Sequence, residues 1–171
     1  LCRHLHESGA KLIVANRSNK AMAQKAAEEF GAIIVPTEEI FAQECDIFSP
    51  NAMGAILNPT TIPQLKCKAV AGGANNQILD DASGEALKAR GIFYAPDFVI
   101  NGGGVINAAA EVDGPYNKDA VLEKVDNIYN SIEHILTESK KLKQAIQKCD
   151  RTALLAGTDK SGIYNRGIID S

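Results

Sequence analysis

Short apolar segments alternate with helical segments as far as residue 95, and this alternation restricts the folds open to the chain. The apolar segments are continuous rather than alternately polar, which is typical of parallel strands buried on both faces. Strands separated by helices predict an α/β protein with a doubly wound, mostly parallel sheet. The expected strands cover residues 11–15, 32–35, 46–49, 68–71 and 92–95.

Helix signals occupy the segments before and between these strands. Gly9 and Gly31 stand where a helix ends, and Thr37 stands as a cap ahead of two acidic residues. The first segment, with leucines on one face, resembles the second half of a helix. The expected helices or helical turns cover residues 1–9, 19–30, 36–40, 62–65 and 83–90.

A long C-terminal helix is predicted where apolar residues recur at three- and four-residue steps from Val121 to Leu136. Its apolar stripe exceeds what a small sheet usually needs, so we expect part of it to contact another domain or subunit. The alternative is packing on the sheet alone. We assign residues 1–149 to the α/β domain and residues 150–171, which show no period, to an irregular tail.

Composition excludes several classes of function. The chain has 171 residues, 45% of them hydrophobic, with a net charge of −3 and a pI near 5.6, which predicts one ordinary core and no binding to nucleic acid or anionic membranes. No apolar run approaches the roughly 20 residues of a membrane span. We expect a cytoplasmic protein with reduced thiols and no metal site, because its four cysteines lack metal-ligand spacing.

Two glycine- and asparagine-rich segments predict a ligand site. Residues 70–77 and 94–106 each resemble an apolar strand that stops at such residues, where bare backbone and uncharged amides can meet a flat ligand. The alternative for Asn75 and Asn76 is a turn in which they bond their own backbone. The alternative for Asn101 and its glycines is a helix start without a ligand.

Asn16, Arg17 and Ser18 follow the first expected strand, where a dinucleotide-binding fold places the adenine ribose. Amide, hydroxyl and guanidinium groups favour a 2′-phosphate, and therefore NADP, or at least do not exclude it. The alternative is a polar turn that only caps the following helix.

Five motifs together resemble the coenzyme domain of the leucine, phenylalanine and valine dehydrogenases, in the glutamate dehydrogenase superfamily. The motifs are CRHLH before GAKLIV, then CDIFSP, TIPQLK, AGGANNQ and YAPDFVINGGGVIN. The resemblance runs from Leu1 to about Lys141, beyond which the tail departs from the family. It implies a Rossmann-like fold and reversible oxidative deamination of an apolar L-amino acid to a 2-oxo acid and ammonia, with NAD or NADP as cofactor.

The resemblance also implies contact residues. The cofactor set is Asn16, Arg17, Ser18, Asn51, Ala52, Ala74, Asn75, Asn101 and Gly102, and the substrate set is Asn76, Val105 and Ala108. Asn16 replaces the family's ribose-binding acid, which puts a preference for NAD in doubt. Ala108 replaces a bulkier valine, which predicts tolerance of an aromatic substrate such as phenylalanine or tryptophan.

The family's catalytic lysines belong to an N-terminal domain that these residues do not include, so no catalytic residue is expected in this chain. Its central first strand and pyrophosphate-binding turn are absent as well. We therefore expect the chain alone to be inactive and marginally folded, and the whole protein to be a homo-oligomer. Two alternatives stay open: a shikimate-type NADP-dependent dehydrogenase, and a non-catalytic nucleotide-binding subunit.

Overall fold

A computed structural model describes residues 1–112 and 114–142 of the chain. The segment predicted to form an irregular tail, residues 150–171, lies outside the described residues. None of the described helices is both long and apolar enough to cross a membrane.

All five predicted strands are present, each with only two residues in its paired core. They are β1 (Ile13–Val14), β2 (Ile33–Ile34), β3 (Ile47–Phe48), β4 (Ala69–Val70) and β5 (Phe93–Tyr94). The α-helices are α1 (Cys2–Glu7), α2 (Lys20–Phe30), α3 (Asp81–Ala89), α4 (Asp97–Ile100), α5 (Gly103–Val112) and α6 (Lys118–Leu142), and 3-10 helices cover Ile40–Ala42 and Ile62–Gln64.

Every pairing between these strands is parallel, which confirms the predicted α/β class. The strands form two sheets: β1 pairs with β2, and β4 lies between β3 and β5. Ile47 and Phe48 are in register with Ala69 and Val70.

Local signals define the first two helices as predicted. The Asn19 side chain accepts a hydrogen bond from the Met22 amide at 3.1 Å and caps α2, which ends at Gly31 in a left-handed conformation with φ 64°. Helix α1 ends before Gly9, whose φ is 83°. These positive φ angles are the reason that glycine fits both positions.

The helix predicted to begin at Pro36 is wrong. Its backbone closes a turn instead, with the Glu39 amide donating to the Pro36 carbonyl at 3.0 Å, and the 3-10 helix Ile40–Ala42 follows without a side-chain cap from Thr37. Packing accounts for this outcome. The short helix places the Phe41 ring 5.5 Å from the Phe48 ring, between ring centroids, so that tertiary contact sets the local structure.

The interpretation of residues 94–106 as a single strand end is also wrong. Strand β5 stops at Tyr94, and the next apolar residues form α4, in which the Val99 and Ile100 amides each donate to the Pro96 carbonyl at 3.0 Å. Proline is well suited to a helix start because its ring fixes φ and it has no amide hydrogen to satisfy. Asn101 therefore follows a helix rather than a strand.

The core lies around the three-stranded sheet and α3. Leu57, Val70 and Leu87 are completely buried there. The Arg90 guanidinium binds the Ile62 carbonyl, and it donates to the Leu65 carbonyl at 2.5 Å, which ties α3 to the 3-10 helix Ile62–Gln64. This packing holds the sheet whose loops form the candidate site.

Helix α6 is confirmed as one long helix, and its principal partners are helices α4 and α5 rather than a sheet. Val121 is buried, and Val125 and Ile128 lie over Gly103 and Gly102. On other faces, Leu122 is 49% exposed and Tyr129 is 72% exposed. The apolar surface of α6 is therefore only partly covered by the described residues.

Candidate cofactor site

Three connections come together beside the three-stranded sheet. The first is the β3 loop (residues 50–55), the second is the β4 loop (residues 72–77), and the third is the α4–α5 junction (Asn101 and Gly102). Because β3, β4 and β5 are parallel, their carboxyl ends lie at one edge of the sheet. In open α/β sheets this edge is where ligands bind.

The β3 and β4 loops contact each other through their backbones. The Ala74 amide donates to the Pro50 carbonyl at 3.0 Å. A Cβ atom on Gly72 would lie 2.5 Å from the Pro50 nitrogen and 2.6 Å from its Cδ, which is too close for any side chain. The bare backbone of Gly72 is thus required by a neighbouring loop rather than by a ligand.

The Asn51 side chain joins the same two loops. Its Oδ1 accepts from the Gly73 amide at 2.9 Å, and its Nδ2 donates to the Ser49 carbonyl at 2.9 Å. The amide of Asn51 is therefore engaged within the protein, although the residue is exposed, as is the adjacent Ala52.

Asn75 and Asn101 are brought together by the fold, and their side chains are bonded, with Asn101 Nδ2 donating to Asn75 Oδ1. Gly73 lies beside them, since a Cβ atom there would be 3.9 Å from Asn101 Oδ1 and 3.0 Å from Asn51 Oδ1. Asparagines that follow β3, β4 and α4 thus surround one glycine. Their mutual bond does not use Asn75 Nδ2 or Asn101 Oδ1, so an amide donor and an amide acceptor lie side by side here.

Asn76 has two features that bear on its role. Its φ is 49°, and its carbonyl accepts from the Ala55 amide at 2.7 Å, so this turn needs a residue that tolerates the left-handed region. Its side chain is exposed and has no hydrogen-bond partner among the described residues. The alternative interpretation expected the side chains of Asn75 and Asn76 to bond their own turn. Neither side chain does so.

Ala74 and Gly102 are buried supports of this site. The Ala74 amide is bonded to Pro50, and its carbonyl accepts from Gln77 Nε2 at 2.9 Å. A Cβ on Gly102 would be 3.2 Å from the Val99 carbonyl oxygen and 3.8 Å from Ile128 Cδ1. Both residues hold the β4 loop and the α4–α5 junction in position from their buried side.

Sequence reasoning missed Gln77, which is completely buried at the end of the β4 loop. Its Nε2 donates to the Gly72 carbonyl at 2.7 Å as well as to Ala74, and its backbone amide donates to Asp97 Oδ2 at 2.9 Å. In the sequence, Gln77 is recognisable only as a polar residue between a turn and an apolar pair. That pattern does not indicate that its side chain is buried or which groups it bonds.

Val105 and Ala108 lie three residues apart on α5, and therefore on one face of the helix. Both are exposed, Val105 to 52%. Helix α5 begins directly after the α4–α5 junction, so this face is available beside Asn101.

Asn16, Arg17 and Ser18 are exposed and lie after β1, in the other sheet. Asn16 Oδ1 accepts from the Ser18 amide at 3.1 Å and from the Asn19 amide at 2.8 Å. This turn precedes α2, as the alternative interpretation expected, but it engages only the oxygen of Asn16. The Nδ2 group of Asn16 and the Arg17 guanidinium remain available as donors.

These features match a known family over most of the chain. The sequence pattern of the Glutamate/Leucine/Phenylalanine/Valine dehydrogenase family matches residues 6–160. The chain belongs to this family. The match extends past Lys141, so the expectation that the tail departs from the family there is wrong.

Curated relatives in this dehydrogenase family are similar to the chain. Leucine dehydrogenase of Bacillus cereus is 52% identical over 141 residues, which are 82% of this chain and 38% of that protein. L-tryptophan dehydrogenase of Nostoc punctiforme is 44% identical over 133 residues, which are 77% of this chain and 37% of that protein. The chain thus spans less than half the length of the relatives it matches.

Solved structures agree with the fold. The crystal structure of L-tryptophan dehydrogenase from Nostoc punctiforme aligns with a TM-score of 0.85 at 36% identity, covering 94% of this chain and 48% of that one. The hetero-hexameric glutamate dehydrogenase from Thermus thermophilus aligns with a TM-score of 0.56 at 17% identity, covering 91% and 48%, and supports the fold alone.

Two cysteines of this family member occupy facing positions in the sheet edge opposite the loops. Cys45 and Cys67 precede β3 and β4, and burial raises the pKa of both thiols. Cys67 belongs to the core cluster, and Cys45 packs against it. The described residues contain no group of three or more side chains arranged to bind a metal ion.

The close approach of Gly72 to Pro50 generates a prediction. Gly72→Ala in the whole protein is expected to lower its free energy of unfolding by about 1–3 kcal/mol, because the added methyl group must displace a neighbouring backbone. Gly104→Ala is the matched control: nothing lies within 4 Å of a Cβ there, and alanine stabilises a helix interior by about 1 kcal/mol relative to glycine. Urea denaturation followed by circular dichroism measures both, and equal stability of the two variants would contradict the prediction.

Proposed function

We propose that this chain is the cofactor-binding part of an NAD- or NADP-dependent L-amino acid dehydrogenase, which converts an apolar L-amino acid to a 2-oxo acid and ammonia. The observation that carries the proposal is the meeting of Asn75 and Asn101 at the ligand-binding edge of a parallel sheet. Similarity to leucine, tryptophan and phenylalanine dehydrogenases supports the reaction class.

The residues at this edge suit a nicotinamide. Asn75 Nδ2 and Asn101 Oδ1 offer a donor and an acceptor side by side, which is the complement of a carboxamide. The bound cofactor would accept a hydride from the α-carbon of the substrate. The unpartnered Asn76 side chain would bind the amino or carboxylate group, and Val105 and Ala108 would line the pocket for the apolar side chain.

Other residues would hold the cofactor without reacting. Asn51 and Ala52 would lie along its ribose, with the Asn51 amide keeping the β3 and β4 loops together. Ala74 and Gly102 would shape the surface under the ring from their buried positions. The proton of the substrate amine must leave before hydride transfer, and we assign that step to lysines of an N-terminal domain.

A further domain or subunit is part of the proposal. The exposed apolar side chains of α6, Leu122 and Tyr129, support contact with the catalytic domain or with a second copy in a homo-oligomer. Membership of the amino acid dehydrogenase family leaves the shikimate-type alternative without support beyond the Asn16 turn.

The decisive test is an assay of the whole protein that contains these residues. A panel of apolar L-amino acids is supplied with NAD and, separately, with NADP, and the absorbance of the reduced cofactor is followed. We expect reduction with at least one branched-chain or aromatic substrate. Cofactor binding without reduction by any substrate would favour the non-catalytic subunit instead.

Cofactor choice is expected to depend on Asn16. Asn16→Asp keeps the oxygen that closes the turn but adds a charge. Like charges about 4 Å apart repel by about 1 kcal/mol in water, and a doubly charged phosphate about doubles this repulsion. The ratio of kcat/KM for NADP to that for NAD should therefore fall about 30-fold. Asn117→Asp is the control, because Asn117 caps α6 through the same kind of turn. An unchanged ratio in Asn16→Asp would contradict a ribose contact.

Substrate choice is expected to depend on Ala108. Ala108→Val adds bulk to the exposed face of α5, and a methylene in an apolar pocket changes transition-state binding by about 1–3 kcal/mol. The ratio of kcat/KM for phenylalanine to that for leucine should therefore fall about tenfold. Ala82→Val, an exposed position of α3, is the control. If the ratio stays the same, Ala108 does not line the substrate pocket.

A further inference from the structure

We propose that Gln77 and Asp97 are positioning residues that set the spacing between Asn75 and Asn101. The inference rests on the proposed nicotinamide site and goes beyond it, because neither residue is among the proposed contacts. Gln77 lies two residues after Asn75, and Asp97 begins the short helix α4, which Asn101 directly follows.

The link between the two is direct. The Gln77 backbone amide donates to Asp97 Oδ2 at 2.9 Å, while Asp97 Oδ1 accepts from the Phe98 backbone amide at 2.8 Å. One carboxylate thus holds the end of the β4 loop and the first turn of α4 at once. Asp97 is half-buried and Gln77 is completely buried, so the bond between them is partly shielded from water.

The Gln77 side chain fixes the loop from within. Its Nε2 donates to the Gly72 carbonyl at 2.7 Å and to the Ala74 carbonyl at 2.9 Å, which spans the segment leading to Asn75. Its Oε1 is buried with no partner among the described residues. Burying a carbonyl oxygen without a partner costs free energy, so the Oε1 atom by itself would favour an apolar residue at this position. Glutamine suits the position because its Nε2 group donates both of these hydrogen bonds to the loop.

The link matters most when a ligand is bound. In the structure, two hydrogen bonds that involve side chains join the β4 loop to α4 and to Asn101: the Gln77 backbone amide donates to the Asp97 carboxylate, and Asn101 Nδ2 donates to Asn75 Oδ1. A nicotinamide would engage Asn75 Nδ2 and Asn101 Oδ1, the two atoms that their mutual bond leaves free. The bond from Gln77 to Asp97 then keeps the donor and acceptor at the distance that the carboxamide requires.

Three variants of the whole protein test this role. Gln77→Met removes the two side-chain donors at similar length, Asp97→Ala removes both acceptors, and Asp97→Asn keeps one acceptor. Because a displacement of about 1 Å can reduce the rate by about 100-fold, kcat should fall by about 10- to 100-fold in Gln77→Met and Asp97→Ala. Asp97→Asn should recover part of this loss.

Isotope effects separate positioning from simple destabilisation. With substrate deuterated at the α-carbon, the isotope effect on kcat should rise in Gln77→Met and Asp97→Ala, because misplaced hydride transfer becomes rate-limiting. Asp80→Ala is the matched control: Asp80 caps α3 through the Ser83 amide at 2.8 Å, and its loss should lower the melting temperature without changing kcat or the isotope effect.

The outcomes distinguish the two levels of the proposal. If the wild type is active and the variants lose only thermal stability, as Asp80→Ala does, the positioning role is overturned while the proposed function stands. If Gln77→Met and Asp97→Ala do not fold, Asp97→Asn alone decides through its kcat and isotope effect. A wild type that reduces neither cofactor overturns the proposed function and this inference with it.

Discussion

The parallel pairing of β4 between β3 and β5 is the constraint on which the site depends. It brings the ends of separate strands to one edge, and the paired cores are only two residues long, so the loops begin almost at once. Gly72 then allows the backbone of one loop to contact Pro50 of the next. Backbone contacts between the loops, together with the Asn51 side chain, bring the asparagines close together.

Sequence patterns predicted the strands and most helices because their signals are local. A continuous apolar run indicates a buried strand wherever it packs, and Asn19 and Gly31 define the ends of α2 within one segment. The failures occurred where the local signal is short. Residues 98–100 are apolar but too few to show a period, and the conformation that Pro96 favours there decides in favour of helix.

The candidate site was only partly predictable for a different reason. Asparagine indicates a polar contact but not which one, since its amide bonds equally well to a ligand, a turn or another loop. In the structure, Asn51 joins two loops, Asn16 closes a turn, and Asn75 is paired with Asn101. Gln77 escaped notice because its burial depends on residues distant in sequence.

The strands form two separate sheets, and this separation bears on how the proposed enzyme would select its cofactor. Asn16 belongs to the sheet of β1 and β2, whereas Asn75 and Asn101 depend on the sheet of β3, β4 and β5. In the proposed enzyme, the groups that would select the ribose and those that would hold the nicotinamide are thus supported by separate sets of hydrogen bonds. Substitutions in independent networks usually have additive effects on free energy. In the proposed enzyme, a change of cofactor preference at the Asn16 turn would therefore leave the geometry around the reacting ring undisturbed.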